Sequence, residues 1–190
     1  MKSYVSAILA GGLALAVVPG YASNEVADGF LCCNMRTDGS WISDSNYMEE
    51  GKTMIPAGTP VKYRSFGRYR VNIEVDGKKQ SIGNDYSREI KLDVFAKRYI
   101  VQDDPKAKIA AASPRVRQAI ESARVTKGMT REQVLMALGY PISSENPNLD
   151  ATEWKFWLFS FSPFTVIFDK DNRVSKVDTD PDTLRKVYLD

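Results

Sequence analysis

Histidine is absent from all 190 residues, and the two cysteines, Cys32 and Cys33, are neighbours. Without histidine there is no Ser-His-Asp or Cys-His nucleophilic site, because the base that activates the nucleophile is missing. His-containing zinc sites go for the same reason, and two cysteines cannot complete a four-thiolate site. Adjacent cysteines leave two readings in an oxidising compartment: a strained vicinal disulfide, or pairing with another molecule. A large excess of charge of either sign is also lacking: 26 basic against 24 acidic side chains give +2, too balanced for a general polyanion binder. Glu49, Glu50 and the remaining carboxylates form no recognisable acid/base pair, so no reaction, metal or cofactor is expected.

Apolar runs are equally sparse, with one exception at the N-terminus. Lys2 is the only charge before a stretch at 5–18 in which Ser6 is the one polar residue. Pro19 and Gly20 then break any helix, and Gly20-Tyr21-Ala22 puts small residues where signal peptidase reads. The run falls short of the about 20 apolar residues that span a bilayer. The expectation is a signal peptide at 1–22, hence export to the periplasm or the outer membrane. Leu31 before Cys32, far behind the apolar run, is the wrong context for lipid attachment.

After the leader, 28–104 reads as short strands with a closing helix. The stretch 69–75 alternates, with Tyr69, Val71, Ile73 and Val75 expected on one face. Asp76-Gly77 is a two-residue hairpin turn, because both positions take positive φ readily, and 78–82 is the return strand. Short strands closed by turns predict a small SH3-like β-barrel. Leu92, Phe95, Ala96, Tyr99 and Ile100 form a helix stripe, with Asp93 as its expected cap. The segment 103–112 reads as a connector.

A second unit is expected at 113–178. Ser113-Pro114 is an N-cap followed by proline at the first helical position. Thr130 and Gln133 make a capping box, Gly139 is the helix stop and Pro141 blocks continuation. Strands at 153–161, 165–168 and 174–177 follow, with a turn at 169–173 whose Asp169, Asp171 and Asn172 lack the glycine and glutamate of a calcium loop. Two helices and an antiparallel meander make a two-layer α+β sandwich. The tail 179–190 can add a last turn through Leu184, Val187 and Tyr188.

Gly128, Met129, Thr130, Gln133, Val134, Leu138, Gly139, Pro141, Trp154, Phe168 and Val174 together resemble the SmpA/OmlA (BamE-like) family of outer-membrane assembly proteins. The resemblance covers 113–178. It implies an αα-βββ fold, shared with β-lactamase inhibitory proteins, and a role as an envelope scaffold or adaptor whose partners are envelope proteins, including the outer-membrane assembly machinery.

Two surfaces are candidates for binding. Alternation along 153–161 puts Trp154, Phe156 and Leu158 on one face and Trp157, Phe159 and Phe161 on the other. A two-layer sandwich buries one face, so the second aromatic set is either an interface or covered by the first unit or the tail. Lys62, Arg64, Arg68 and Arg70, with Lys78 and Lys79 and the aromatics Tyr63, Phe66 and Tyr69 among them, mark a basic barrel face. Export makes anionic lipid or cell-wall polymer, not nucleic acid, the partner such a face would meet. The alternatives to an adaptor are therefore a polymer- or lipid-binding module, or an inhibitor of a secreted enzyme. The leader makes the first prediction: mass spectrometry of the exported protein finds Ser23 as its first residue, and a diacylated Cys32 or Cys33 at the N-terminus would refute the non-lipoprotein reading.

Overall fold

The computed structural model describes residues 26–190, and the expected leader at 1–22 lies outside them. The fold is mixed α+β: a curled eight-stranded sheet, a three-stranded sheet and five helices among the described residues. Strands β1 (Gly29–Leu31), β2 (Met35–Thr37), β3 (Trp41–Ser43), β4 (Thr53–Ile55), β5 (Pro60–Gly67), β6 (Arg70–Val75) and β7 (Lys78–Gly83) come first. Helix α1 (Leu92–Tyr99) and the short β8 (Ile100–Val101) close the unit. The sheet order is β4-β2-β3-β7-β6-β5-β1-β8, antiparallel except where β3 runs parallel to β7. Val71, Ile73 and Val75 of β6 point inward, as the alternation requires, and α1 lays Phe95, Ala96 and Tyr99 on the same core.

Three local expectations are corrected. Tyr69 is in the two-residue turn before β6, with φ of 66° and its ring exposed, so it does not share the buried face. Lys91, not Asp93, is the N-cap of α1; Asp93 lies in the first turn, where its charge favours the positive end of the helix dipole. The connector contains a helix, α2 (Pro105–Ala111), started by Asp104, whose carboxylate accepts from the Lys106 amide, and by Pro105.

The second unit runs α3 (Pro114–Glu121), α4 (Arg131–Leu138), β9 (Glu153–Trp157), β10 (Pro163–Phe168), β11 (Val174–Asp178) and α5 (Pro181–Val187). Thr130 and Gln133 form the reciprocal capping box at the start of α4. Strand order β11-β10-β9 is a meander. Its inner face, with Trp154, Phe156, Phe164, Val166 and Phe168, packs on Ala119, Ile120, Val134 and Ala137 of α3 and α4. The Asp169 carboxylate accepts from the amides of Asp171 and Arg173, which closes the β10–β11 turn. Val187 of α5 is buried in this second core, and Leu189 donates its amide to the Val125 carbonyl, so the tail is part of the unit.

The two units are joined by buried polar contacts. A helix leaves its last four carbonyls without intrahelical donors. In α4 each of the four has a named partner. Leu135 accepts from the Gly139 amide and Met136 from the Asn34 amide. Ala137 accepts from Asn34 Nδ2 at 3.2 Å and Leu138 from Asn46 Nδ2 at 2.8 Å. Asn34 Nδ2 also donates to the Ile120 carbonyl at the end of α3, at 2.6 Å. Both asparagines belong to the first unit and are buried. Their own oxygens accept from the amides of Ala57 and Arg36.

Gly139 lets this happen. Its φ of 83° with ψ of −177° lies in a region that side chains other than hydrogen resist. A Cβ there would stand 3.4 Å from Asn46 Nδ2 and 3.5 Å from Met35 Sδ. Gly139→Val is therefore predicted to cost about 1–3 kcal/mol from backbone strain alone. Denaturant unfolding measures it, and an unchanged midpoint would mean that the junction tolerates a different backbone.

Candidate interaction surfaces

The aromatic segment supplies one surface. Strand β9 ends at Trp157, earlier than the alternation predicts, because the Leu158 amide donates to the Ser162 carbonyl and the Ser162 amide to that of Phe159. This closes a tight turn before β10, so Trp157, Phe159 and Phe161 do not share a strand face. Trp157 is half-buried; its Nε1 donates to Glu145 at 2.8 Å and the Lys155 ammonium lies 4.5 Å from its ring centroid. Phe159 is drawn back against the second core, beneath Lys186. Phe161 stands at the turn with 93% of its surface exposed.

Beside this hairpin the first unit contributes an aromatic groove. The Met48 amide donates to the Leu158 carbonyl at 2.7 Å, which ties the two units together at the hairpin base. Trp41, Tyr47, Tyr86 and Ser160 line the groove, with the carboxylates of Asp38, Glu49 and Asp85 and the ammonium of Lys52. Sequence reading missed it, because its walls come from three segments that no local pattern connects.

The groove wall depends on Asp44. This carboxylate is 1% exposed and accepts from the amides of Asp85 and Tyr86, the latter at 3.0 Å. The same loop reaches the second unit: Ser143 donates its amide to Ser87 Oγ and Ser144 to the Tyr86 carbonyl. Burial raises the Asp44 pKa to about 6, against the amide and Ser87 hydrogen bonds that favour the anion.

The expected basic face separates into two parts. Lys62 and Arg64 both pair with Glu74, at 3.6 and 2.7 Å, and the Arg64 hydrogen bond holds the Glu74 carboxyl below its usual range. One carboxylate thus serves both cations and offsets half of their charge. Arg68 and Arg70 are instead seated on aromatic rings, Arg68 on Tyr69 at 5.5 Å and Arg70 on Trp41 at 3.7 Å. Arg88, which the sequence reading did not single out, lies 4.7 Å from the Tyr69 centroid. The Asn84 amide donates to the Tyr69 carbonyl and so brings the Arg88 loop to the hairpin.

Cys32 and Cys33 are bonded to each other, which selects the vicinal disulfide of the two sequence readings. Cys33 is buried in the first core. Cys32 helps line a cavity of about 220 Å3 between the units, with Val101, Leu135, Met136 and Tyr140 as its apolar walls. The Lys108–Glu132 pair, at 2.6 Å, also lines it.

Comparison with known proteins gives no family model that matches the chain, and neither curated proteins nor solved structures give a match.

The Asp44 pKa fixes a sign. A carboxyl whose folded pKa lies above its unfolded value near 4 binds protons more tightly when folded, so it favours folding at low pH and loses that contribution as pH rises through about 6. Wild type is predicted to lose on the order of 3 kcal/mol from this group between about pH 4 and pH 7. Carboxyls held low, such as Asp38 and Asp180, act in the opposite sense and below that window. Asp44→Asn keeps an acceptor for the Tyr86 amide and cannot ionise. Denaturant melts across that range should show the wild-type-to-variant difference growing with pH; a constant difference would mean that Asp44 does not titrate there.

Proposed function

We propose that this chain is a non-catalytic adaptor of the bacterial envelope, which holds a protein partner at the tip of the β9–β10 hairpin. The observation that carries the reading is Phe161, an aromatic side chain 93% exposed on a turn whose backbone is fixed on both sides. Such a ring gives a partner a large apolar contact at little entropic cost, and aromatics of this kind dominate interface energetics. The Trp41–Tyr47–Tyr86 groove beside Ser160 offers the rest of the contact, and its carboxylates favour a partner segment with basic residues. The finer assignments belong to the same proposal: an SH3-like first unit, a BamE-like second unit with α3, α4 and the meander in the order that the SmpA/OmlA resemblance implies, and a periplasmic or outer-membrane-associated site of action. Fold likeness alone specifies no partner. The reading names envelope proteins, the outer-membrane assembly machinery first among them, and invokes no cofactor.

A photo-crosslinking amino acid placed at position 161 in living cells tests it. The expected product is an adduct with a protein of outer-membrane assembly. Phe161→Ser should abolish capture in a pull-down without changing the melting temperature, because a side chain this exposed contributes little to the core. No adduct at 161, together with normal outer-membrane protein levels in a deletion strain, would overturn the proposal.

A further inference from the structure

The β5–β6 hairpin carries a second surface, on a different element from the adaptor tip. Its two-residue turn is Arg68-Tyr69, with Phe66 and Arg70 on either side. Arg68 and Arg88 share the Tyr69 ring, and Arg70 covers Trp41. Gly83, paired with Arg70 across β6 and β7, makes the last contact possible: a Cβ at Gly83 would run into the Trp41 indole. All three arginines are exposed. None makes an ion pair with a carboxylate among the described residues, whereas Lys62 and Arg64 on the same sheet both do. Asp85, near Gly83, and Glu89, next to Arg88 in the chain, are acids beside the cluster, and three arginines against these two leave it net positive.

The chemistry of this tip is specific. Ring stacking positions a guanidinium and leaves its N–H edges free for phosphate oxygens, which arginine binds with paired hydrogen bonds. Phe66 at 41% and Tyr69 at 42% exposure alternate with the cations. Aromatic rings with a polar surround settle at the headgroup level of a bilayer, and each basic residue near an anionic leaflet adds attraction to its phosphates. A soluble polyanion would use the arginines and have no need of Phe66. We propose that the β5–β6 tip, with Arg68, Arg70 and Arg88, docks on the phosphate headgroups of an anionic phospholipid membrane.

Co-sedimentation of the chain beginning at Ser23, which holds all of the described fold, with phosphatidylcholine vesicles with and without phosphatidylglycerol tests this. Binding is expected only to the anionic vesicles and should weaken as salt screens the cluster. Arg68→Ala/Arg70→Ala/Arg88→Ala should lower partitioning on the order of 100-fold. Removal of the same charge from exposed lysines of the second unit, Lys127→Ala/Lys170→Ala/Lys176→Ala, should leave it unchanged. Phe66→Ser, which keeps every charge, should lower it several-fold, and an unaltered melting temperature shows that each variant is folded. Equal losses in the two triple variants, no binding by wild type, or displacement by inorganic phosphate with Phe66→Ser unaffected would each overturn the proposal.

Discussion

Two buried carboxamides, Asn34 and Asn46, hold the molecule together as one structure. The last carbonyls of a helix have no donors within it; Ile120 of α3 also accepts from the Ala123 amide just beyond the helix, whereas Ala137 and Leu138 of α4 accept from the asparagines. Water would satisfy them on an isolated second unit. Here the first unit covers them, and the asparagine Nδ2 groups replace that water with fixed bonds of 2.6 to 3.2 Å. An amide left unpartnered in such a position costs about 1–3 kcal/mol. The junction is consequently selective: shape and bonding capacity must both match, and Gly139 supplies the positive-φ backbone that turns the chain there. This seam, together with the Met48–Leu158 and Ser143–Ser87 bonds, sets the relative placement of the two cores and the surfaces built from both.

The aromatic groove is such a surface. Its walls derive from β3, the loop after β7 and the hairpin after β9, which belong to different units. Asp44 ties the first two together, and the Met48–Leu158 bond ties in the third. Asp44 is ionised at neutral pH at some cost, since burial outweighs the bonds it accepts. A carboxylate kept in that position favours a defined loop over maximal stability, a known balance at functional surfaces.

What the sequence discloses is what is encoded locally. The Thr130–Gln133 capping box, the Asp76-Gly77 turn and the stop at Gly139 are each specified within a few residues and form as read; the α1 stripe forms as far as Tyr99, while Ile100, expected on it, is extended and begins β8. Asn34 and Asn46 carry no such signal. Each resembles an ordinary turn residue, Asn46 even having the positive φ of one, and their side-chain bonds to the second unit span 86 to 103 residues in sequence. The parallel pairing of β3 with β7 is invisible for the same reason. Alternation overran at Trp157 because apolar residues continue to Phe161 while the backbone has already turned: periodicity records side-chain chemistry, and the turn is set by Leu158 and Ser162 main-chain bonds. The basic face was legible as composition but not as grouping. Whether a cation is paired depends on what lies across the strand, and Glu74 lies across from Lys62 while among the described residues no carboxylate pairs with Arg68 or Arg70.

Trp41 links the two proposed surfaces physically. Its indole seats Arg70 at 3.7 Å and also lines the groove beside Tyr47 and Tyr86. It lies over Gly83, so the absence of one methyl group in β7 sets the position of both. A side chain there would push the indole away, unseat Arg70 and change the groove wall together. Trp41 and Gly83 variants therefore cannot separate partner binding from membrane contact. Phe161 and Arg88 can, because neither touches Trp41: Phe161 stands on the second unit's hairpin, and Arg88 lies over the Tyr69 ring. If the two surfaces work at once, the protein presents an envelope partner at a fixed height above the membrane, a geometry that requires the Asn34–Asn46 seam to be rigid.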